Sequence, residues 1–225
     1  MTRKSPLMLS AALLSAALIT APVSAHDISK SDGEQVTQTY DFSGFSKIRI
    51  DGVYRVTVTQ GDTFSITTSG DEKEMEKSKV ELKGDTLVLG SKSKKWSRDN
   101  QQRHGITTTL TMPNLDGIAI NGVTEFMGDN LDLGDLDLDV NGVADLTLSG
   151  TCGELTAKVN GVGDIDLKDL KCETGDLSVN GAGELSAYTS QSVKARINGV
   201  GEMKIYGDPK DVDKKKTWLG SITLK

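Results

Sequence analysis

Five segments carry one motif: AINGVTEF at 119–126, DVNGVADL at 139–146, KVNGVGDI at 158–165, SVNGAGEL at 178–185 and RINGVGEM at 196–203. Their asparagines are Asn121, Asn141, Asn160, Asn180 and Asn198, at spacings of 20, 19, 20 and 18 residues. A fixed period of this length marks a solenoid, in which each repeat buries its apolar face only against its neighbours. Aligned on the asparagine, the preceding position holds Ile120, Val140, Val159, Val179 and Ile197. The fifth position after it holds Phe126, Leu146, Ile165, Leu185 and Met203, and the seventh holds Gly128, Leu148, Leu167, Ala187 and Ile205. Apolar and polar residues alternate there at period two, which predicts a strand. The second position (Val123, Val143, Val162, Ala182, Val200) is apolar as well. The Asn-Gly pair itself is expected to bend the chain through positive φ.

Asn-Gly also opens β-hairpins, so an antiparallel meander or sandwich is the rival fold. A meander reverses every second strand and has no reason to hold one motif in one phase. Coiling returns each position to the same wall about 4.8 Å away. The expectation is an all-β, single-domain, right-handed parallel β-helix with coils of about 18–20 residues. The regular repeats span 117–207.

Outward from the repeats the pattern weakens. KIRIDGVYRVTVTQGD at 47–62 is a degenerate copy, with Asp51-Gly52-Val53 in place of Asn-Gly-Val. Further strands are expected at Phe64–Thr68, Val80–Lys83, Thr86–Leu89 and Ile106–Met112, with one short helix at Asp71–Ser78. Ser91 to Gly105 reads as a long polar loop. Trp218 is expected in a C-terminal cap over the last open strand edge. At the other terminus, Arg3 and Lys4 precede the apolar run Leu7–Ile19 and the small-residue site Val23-Ser24-Ala25. That is the pattern of a signal peptide over 1–25, cleaved after Ala25. It sends a chain that no longer spans a membrane to the periplasm or the medium, with 26–41 as a lead segment and 42–225 as the β-helical domain.

The whole chain holds 26 basic and 32 acidic residues; loss of Arg3 and Lys4 leaves 24 against 32, a net charge of −8. An acidic surface opposes nonspecific nucleic-acid binding. An aromatic share of 4% suits a narrow core of Val, Leu and Ile.

Four blocks carry a family resemblance: FSGFSKIRIDGVYRVTVTQGD from Phe42, VELKGDTLVLGSK from Val80, TLTMPNLDGIAINGV from Thr109, and the terminal INGVGEMKIYGDPKDVDKKKTWLGSITLK. In that order they resemble the head GIN domain family, often labelled "putative auto-transporter adhesin". The resemblance implies an exported β-helical protein with no established catalytic residues. Where similar proteins repeat a Ser-Gly-x-Gly turn, this chain has mostly Asn-Gly-Val/Ala-Gly.

Candidate sites follow from the columns. The asparagines can bond to one another as a structural ladder, since an amide both donates and accepts; the functional alternative is an amide strip for a ligand. Four residues after each asparagine stand Glu125, Asp145, Asp164, Glu184 and Glu202. Strand parity turns them to solvent, as a row for Ca²⁺ or a basic partner, or as a solvated wall that prevents association. The next positions on that face (Met127, Thr147, Asp166, Ser186, Lys204) are not expected to neutralise them. Trp96, Arg98 and His104 sit in the basic loop and could meet a sugar or a partner. Only His26 and His104 occur, and no nucleophile elbow or metal-binding His pair is present, so no catalytic set is assigned. Paired carboxylates do occur in β-helical carbohydrate-active enzymes, but every member of this row is alike, and acid–base chemistry needs two that differ. The expected role is a non-enzymatic surface module with an envelope, surface or glycan partner; the alternative is a carbohydrate-active β-helix enzyme. Finally, Cys152 and Cys172 each lie eight residues before a motif asparagine. Coil register therefore stacks them, and in an oxidising compartment they should form a disulfide.

Overall fold

The computed structural model describes residues 34–92 and 105–225, all within one unit, Ser31–Lys225. The expected signal peptide, His26, Trp96, Arg98 and His104 lie outside the described residues. The strands are β1 (Gln35–Tyr40), β2 (Lys47–Ile50), β3 (Val53–Gln60), β4 (Ser65–Asp71), β5 (Ser78–Lys83), β6 (Thr86–Ser91), β7 (Ile106–Met112) and β8 (Gly117–Ile120). They continue as β9 (Val123–Asp132), β10 (Leu136–Val140), β11 (Val143–Val159), β12 (Val162–Val179), β13 (Ala182–Ile197), β14 (Val200–Tyr206), β15 (Asp211–Lys216) and β16 (Gly220–Leu224). One helix, α1 (Glu72–Lys77), precedes β5. It and β7 fall where the sequence put them.

From β8 onward the chain is a parallel solenoid. Val143 pairs with Val123 on one side and Val162 on the other; Ala182 pairs with Val162 and Val200. The meander is thereby rejected. Each coil has one strand before the Asn-Gly turn and one after it, so two walls face each other across the core. β2, β8, β10, the later halves of β11–β13, and β15 make the first wall. β3, β9, the earlier halves of β11–β13, β14 and β16 make the second. Both predicted core columns are inside: Ile120, Val140, Val159, Val179 and Ile197, and Phe126, Leu146, Ile165, Leu185 and Met203, are all buried. Each such side chain contributes roughly 1.5–3 kcal/mol on burial.

The glycine of the motif has a different job from the one the sequence suggested. Gly122, Gly142, Gly161, Gly181 and Gly199 are not among the positive-φ residues. Instead the parallel ladder runs straight through the turn: Asn141 and Gly142 N–H both donate to Ile120 O (2.7 and 3.1 Å), and Val143 N–H donates to Gly122 O (2.9 Å). Coils approach so closely there that a Cβ on Gly142 would lie 2.0 Å from Gly122 O, and one on Gly161 1.9 Å from Gly142 O. Close backbone approach selects glycine here.

The N-terminal part departs from simple coiling. β3 lies between β7 and β9, and β2 between β6 and β8. The first coil is thus inside the stack, and the chain loops outward before returning. β1 and β4 run antiparallel to their neighbours, as does β5 to β6. Hairpin strands of this kind need no further coil beyond them. At the other end, β15 pairs only with β13 and β16 only with β14. Trp218 does not cover that edge: it is 88% exposed, in the turn between β15 and β16. The edge strand β15 is guarded instead by Lys214 and Lys216, opposite the buried Ala195 and Ile197, a placement that discourages further pairing.

Candidate functional site

The motif asparagines form one hydrogen-bonded line on the outside of the turn. Asn141 Nδ2 donates to Asn121 Oδ1 (3.2 Å), Asn160 to Asn141 (2.9 Å), Asn180 to Asn160 (2.8 Å) and Asn198 to Asn180 (2.8 Å). All donors point the same way, so the line must end on an acceptor. Asn121 Nδ2 donates to Asp51 Oδ1 (2.8 Å). The aspartate that made the first repeat look degenerate is an acceptor-only group at the place that needs one. The amides bond one another, as the structural reading of the column requires.

Beside this ladder on the second wall run two more rows. Residues alternate between core and solvent, and the second position after the asparagine falls outside. Val143, Val162 and Val200 are 48%, 54% and 52% exposed, with Val123 and Ala182 also exposed. Sequence reasoning noted this apolar column but not its direction; counting back by two from the solvent-facing fourth position would have found it. Leu219 extends the row at the last turn. Next outward is the acidic row, in continuous register: Glu125–Asp145, Asp145–Asp164, Asp164–Glu184 and Glu184–Glu202.

The acidic row is partly neutralised, contrary to expectation. Arg55, next to Glu125 in the ladder, donates Nε to its Oε2 at 2.6 Å. Lys204 Nζ reaches Glu184 at 2.5 Å and Glu202 at 3.5 Å. The hydrogen bond to Glu184 pushes the Lys204 ammonium above its ordinary pKa, despite some desolvation. The long lysine stem bridges two coils, a reach that column alignment does not reveal. Asp145 and Asp164 in the middle form no ion pair among the described residues. Nor is any group of three or more His, Cys, Asp or Glu among the described residues placed to hold a metal ion.

Cys152 and Cys172 pair in register and form a disulfide with Cα atoms 4.4 Å apart. Both are buried, so the bond staples neighbouring coils from inside. Close by, β12 bulges between Leu167 and Lys171. Lys171 Nζ lies 4.3 Å from the Tyr188 ring centroid, and Lys168 bonds Asp166. This bulge had no signature in the sequence beyond a slight excess of residues in that coil.

A family described as "Putative auto-transporter adhesin, head GIN domain" matches residues 44–209. No curated protein shows significant similarity to the chain. Among solved structures, a putative adhesin from Bacteroides fragilis superposes with a TM-score of 0.62 at 22% identity, covering 85% of this chain and 97% of that one. A putative lipid binding protein from Parabacteroides distasonis gives 0.47 at 18%, covering 85% and 98%. A putative adhesin from Parabacteroides merdae gives 0.45 at 17%, covering 85% and 97%. At such identities the Bacteroides likeness speaks for the fold alone.

Proposed function

Because this chain belongs to the head GIN domain family, we propose that it is an exported, non-enzymatic solenoid whose second wall binds a partner in the cell envelope or at the cell surface. The observation that carries this reading is the outward valine row running beside the acidic row. Apolar side chains held at about half exposure gain nothing from water. Covering them would contribute on the order of 1 kcal/mol each, at about 25 cal/mol per Å². The carboxylates would orient a partner and speed its approach more than they would tighten it. Asp145 and Asp164, which have no ion pair among the described residues, favour a partner that carries cationic groups.

The carbohydrate-active alternative requires two carboxylates in unlike surroundings facing one substrate. Here the carboxylates lie in a regular exposed row, which supports the interaction reading. The disulfide and the family support an extracytoplasmic location, where such bonds persist.

The test is capture of envelope fractions and glycans by the immobilised mature chain, beside a Val143→Ser/Val162→Ser variant. Binding that falls at least tenfold in the variant, and weakens with salt, is the expected result. Capture unchanged by the substitutions would remove this wall as the site. Release of reducing ends from a polysaccharide would transfer the reading to the enzyme.

A further inference from the structure

Asparagine followed by glycine is the pair most prone to cyclise, because glycine leaves the attacking backbone nitrogen unshielded. The chain carries five such pairs in one exposed line. We propose that the two ends of the amide ladder, Asn198 and Asn121, are sites of spontaneous deamidation, and that the ladder shields Asn141, Asn160 and Asn180 between them.

The chemistry needs only water. The Gly199 nitrogen attacks Cγ of Asn198. The N–Cγ bond forms, the Cγ–Nδ2 bond breaks, and ammonia leaves with the proton from the glycine nitrogen. Water then opens the succinimide at either carbonyl, giving aspartate or isoaspartate. Two motions must come first: the side-chain amide leaves the ladder, and the glycine N–H leaves its acceptor.

At least three hydrogen bonds oppose those motions at each interior site, with a fourth, longer one at Asn160 from its amide to Asp139 (3.4 Å) and at Asn180 from Ser178 (3.5 Å). Asn160 donates to Asn141 (2.9 Å) and accepts from Asn180 (2.8 Å), while Gly161 N–H holds Val140 O (3.0 Å). Asn141 and Asn180 are held in the same three ways, with Gly142 and Gly181 N–H on Ile120 and Val159 O. The ends each lack one bond. Asn198 donates to Asn180, but Thr217 takes the next turn position and no side chain among the described residues donates to Asn198 Oδ1. Its Gly199 N–H bond, at 3.3 Å, is longer than those of Gly142, Gly161 and Gly181. Asn121 keeps both side-chain bonds, to Asp51 and from Asn141, yet Gly122 N–H makes no backbone hydrogen bond among the described residues. One typical hydrogen bond fewer makes opening roughly fivefold easier. Asn198 comes first, because only the edge strands β15 and β16 lie beyond its coil.

Each event breaks the line that resisted it. A carboxylate cannot donate, so conversion at position 198 leaves Asn180 Oδ1 with only the long bond from Ser178 (3.5 Å). At position 121 it sets a second carboxylate against Asp51. Isoaspartate also inserts Cβ into the main chain, next to a turn whose following residue, Val200, donates to Gly181 O at 3.0 Å. The ladder therefore ages from its ends inward.

The experiment incubates the purified mature chain, disulfide intact, at mildly alkaline pH. Timed peptide mapping scores aspartate and isoaspartate at all five positions, beside a sample held in guanidinium. Folded chain should convert at Asn198 and Asn121 roughly fivefold faster than at the interior three, while the unfolded sample converts at all five alike. Equal folded rates at all five positions, or faster interior sites, would overturn the proposal. Thr217→Asn offers the missing donor and should slow Asn198 to the interior rate without touching Asn121. If that variant does not fold, Asp51→Ala serves instead and should speed Asn121 alone; an unchanged Asn121 rate there would equally refute the ladder as the shield.

Discussion

From Gly117 to Tyr206 every coil lies beside its neighbour in sequence; from Gln35 to Met112 only β5 and β6 pair with the strand next in sequence. In the stack, β11 and β12 pair in parallel along nearly their whole length. In the N-terminal part, the coil of β2 and β3 is enclosed by strands from both sides of a long excursion, and β1, β4 and β5 run antiparallel. The difference shows how the two regions obtain their stability. The stack repeats one contact at every turn and takes up changes in coil length as bulges away from it. The N-terminal part closes the end of the solenoid with individually fitted strands, and a fitted contact can yield.

The most severe break is expected at the turn glycines. Gly161→Ala would place Cβ 1.9 Å from the carbonyl oxygen of Gly142, a backbone atom held in the ladder. A loss above about 4 kcal/mol is expected in denaturant unfolding. Gly52, the same position in the first coil, would meet a side chain rather than backbone, the ring of Tyr54 at 2.7 Å. Gly52→Ala should therefore cost about 1–2 kcal/mol, within the ordinary range. Equal losses at the two positions would erase the distinction between the regions.

Next in size are core truncations. Leu146→Ala in the stack and Ile66→Ala in β4 both remove fully buried side chains, at about 2–5 kcal/mol each. Their reach should differ. Hydrogen exchange in the Ile66 variant should rise in β1, β4 and β7 while β12 and β13 stay protected, because β4 contacts one end only. The Leu146 variant should lose protection across the stack.

Replacing both Cys152 and Cys172 by alanine should cost about 3 kcal/mol by the loop-closure argument. It should leave exchange in β1 and β4 unchanged. Thiol labelling of the unreduced, denatured chain should find no free thiol.

The smallest effect belongs to an exposed pair of the N-terminal part. The hydrogen bond from Lys47, with another from Thr86, holds the Asp85 carboxyl below its ordinary pKa. Its contribution to stability is therefore present above the unfolded-state value and is lost as pH falls through the folded one. In Lys47→Met, the Asp85 titration followed by NMR should move up towards that of a free carboxylate. Salt should narrow the difference, since both groups are exposed.

The acidic row was visible by position, but not its charge balance. Arg55 reaches Glu125 across a sequence gap of 70 residues, and Lys204 bridges two coils through a flexible stem. Neither follows from counting along a column. Asp51 was legible as an exception to the motif, yet its reason depends on the direction in which every amide in the ladder points.

By itself the sequence determined the parallel solenoid, its core columns, the asparagine line and the Cys152–Cys172 bond. All four follow from one repeated spacing, since coiling turns equal separation along the chain into contact. Only the tertiary structure decided the order of the first strands, the exposure of Trp218, the outward valine row as a surface, and glycine's role in the turn. These depend on which backbone approaches which across the stack, and on where the stack stops. A sequence period repeats the contact but carries no information about its ends.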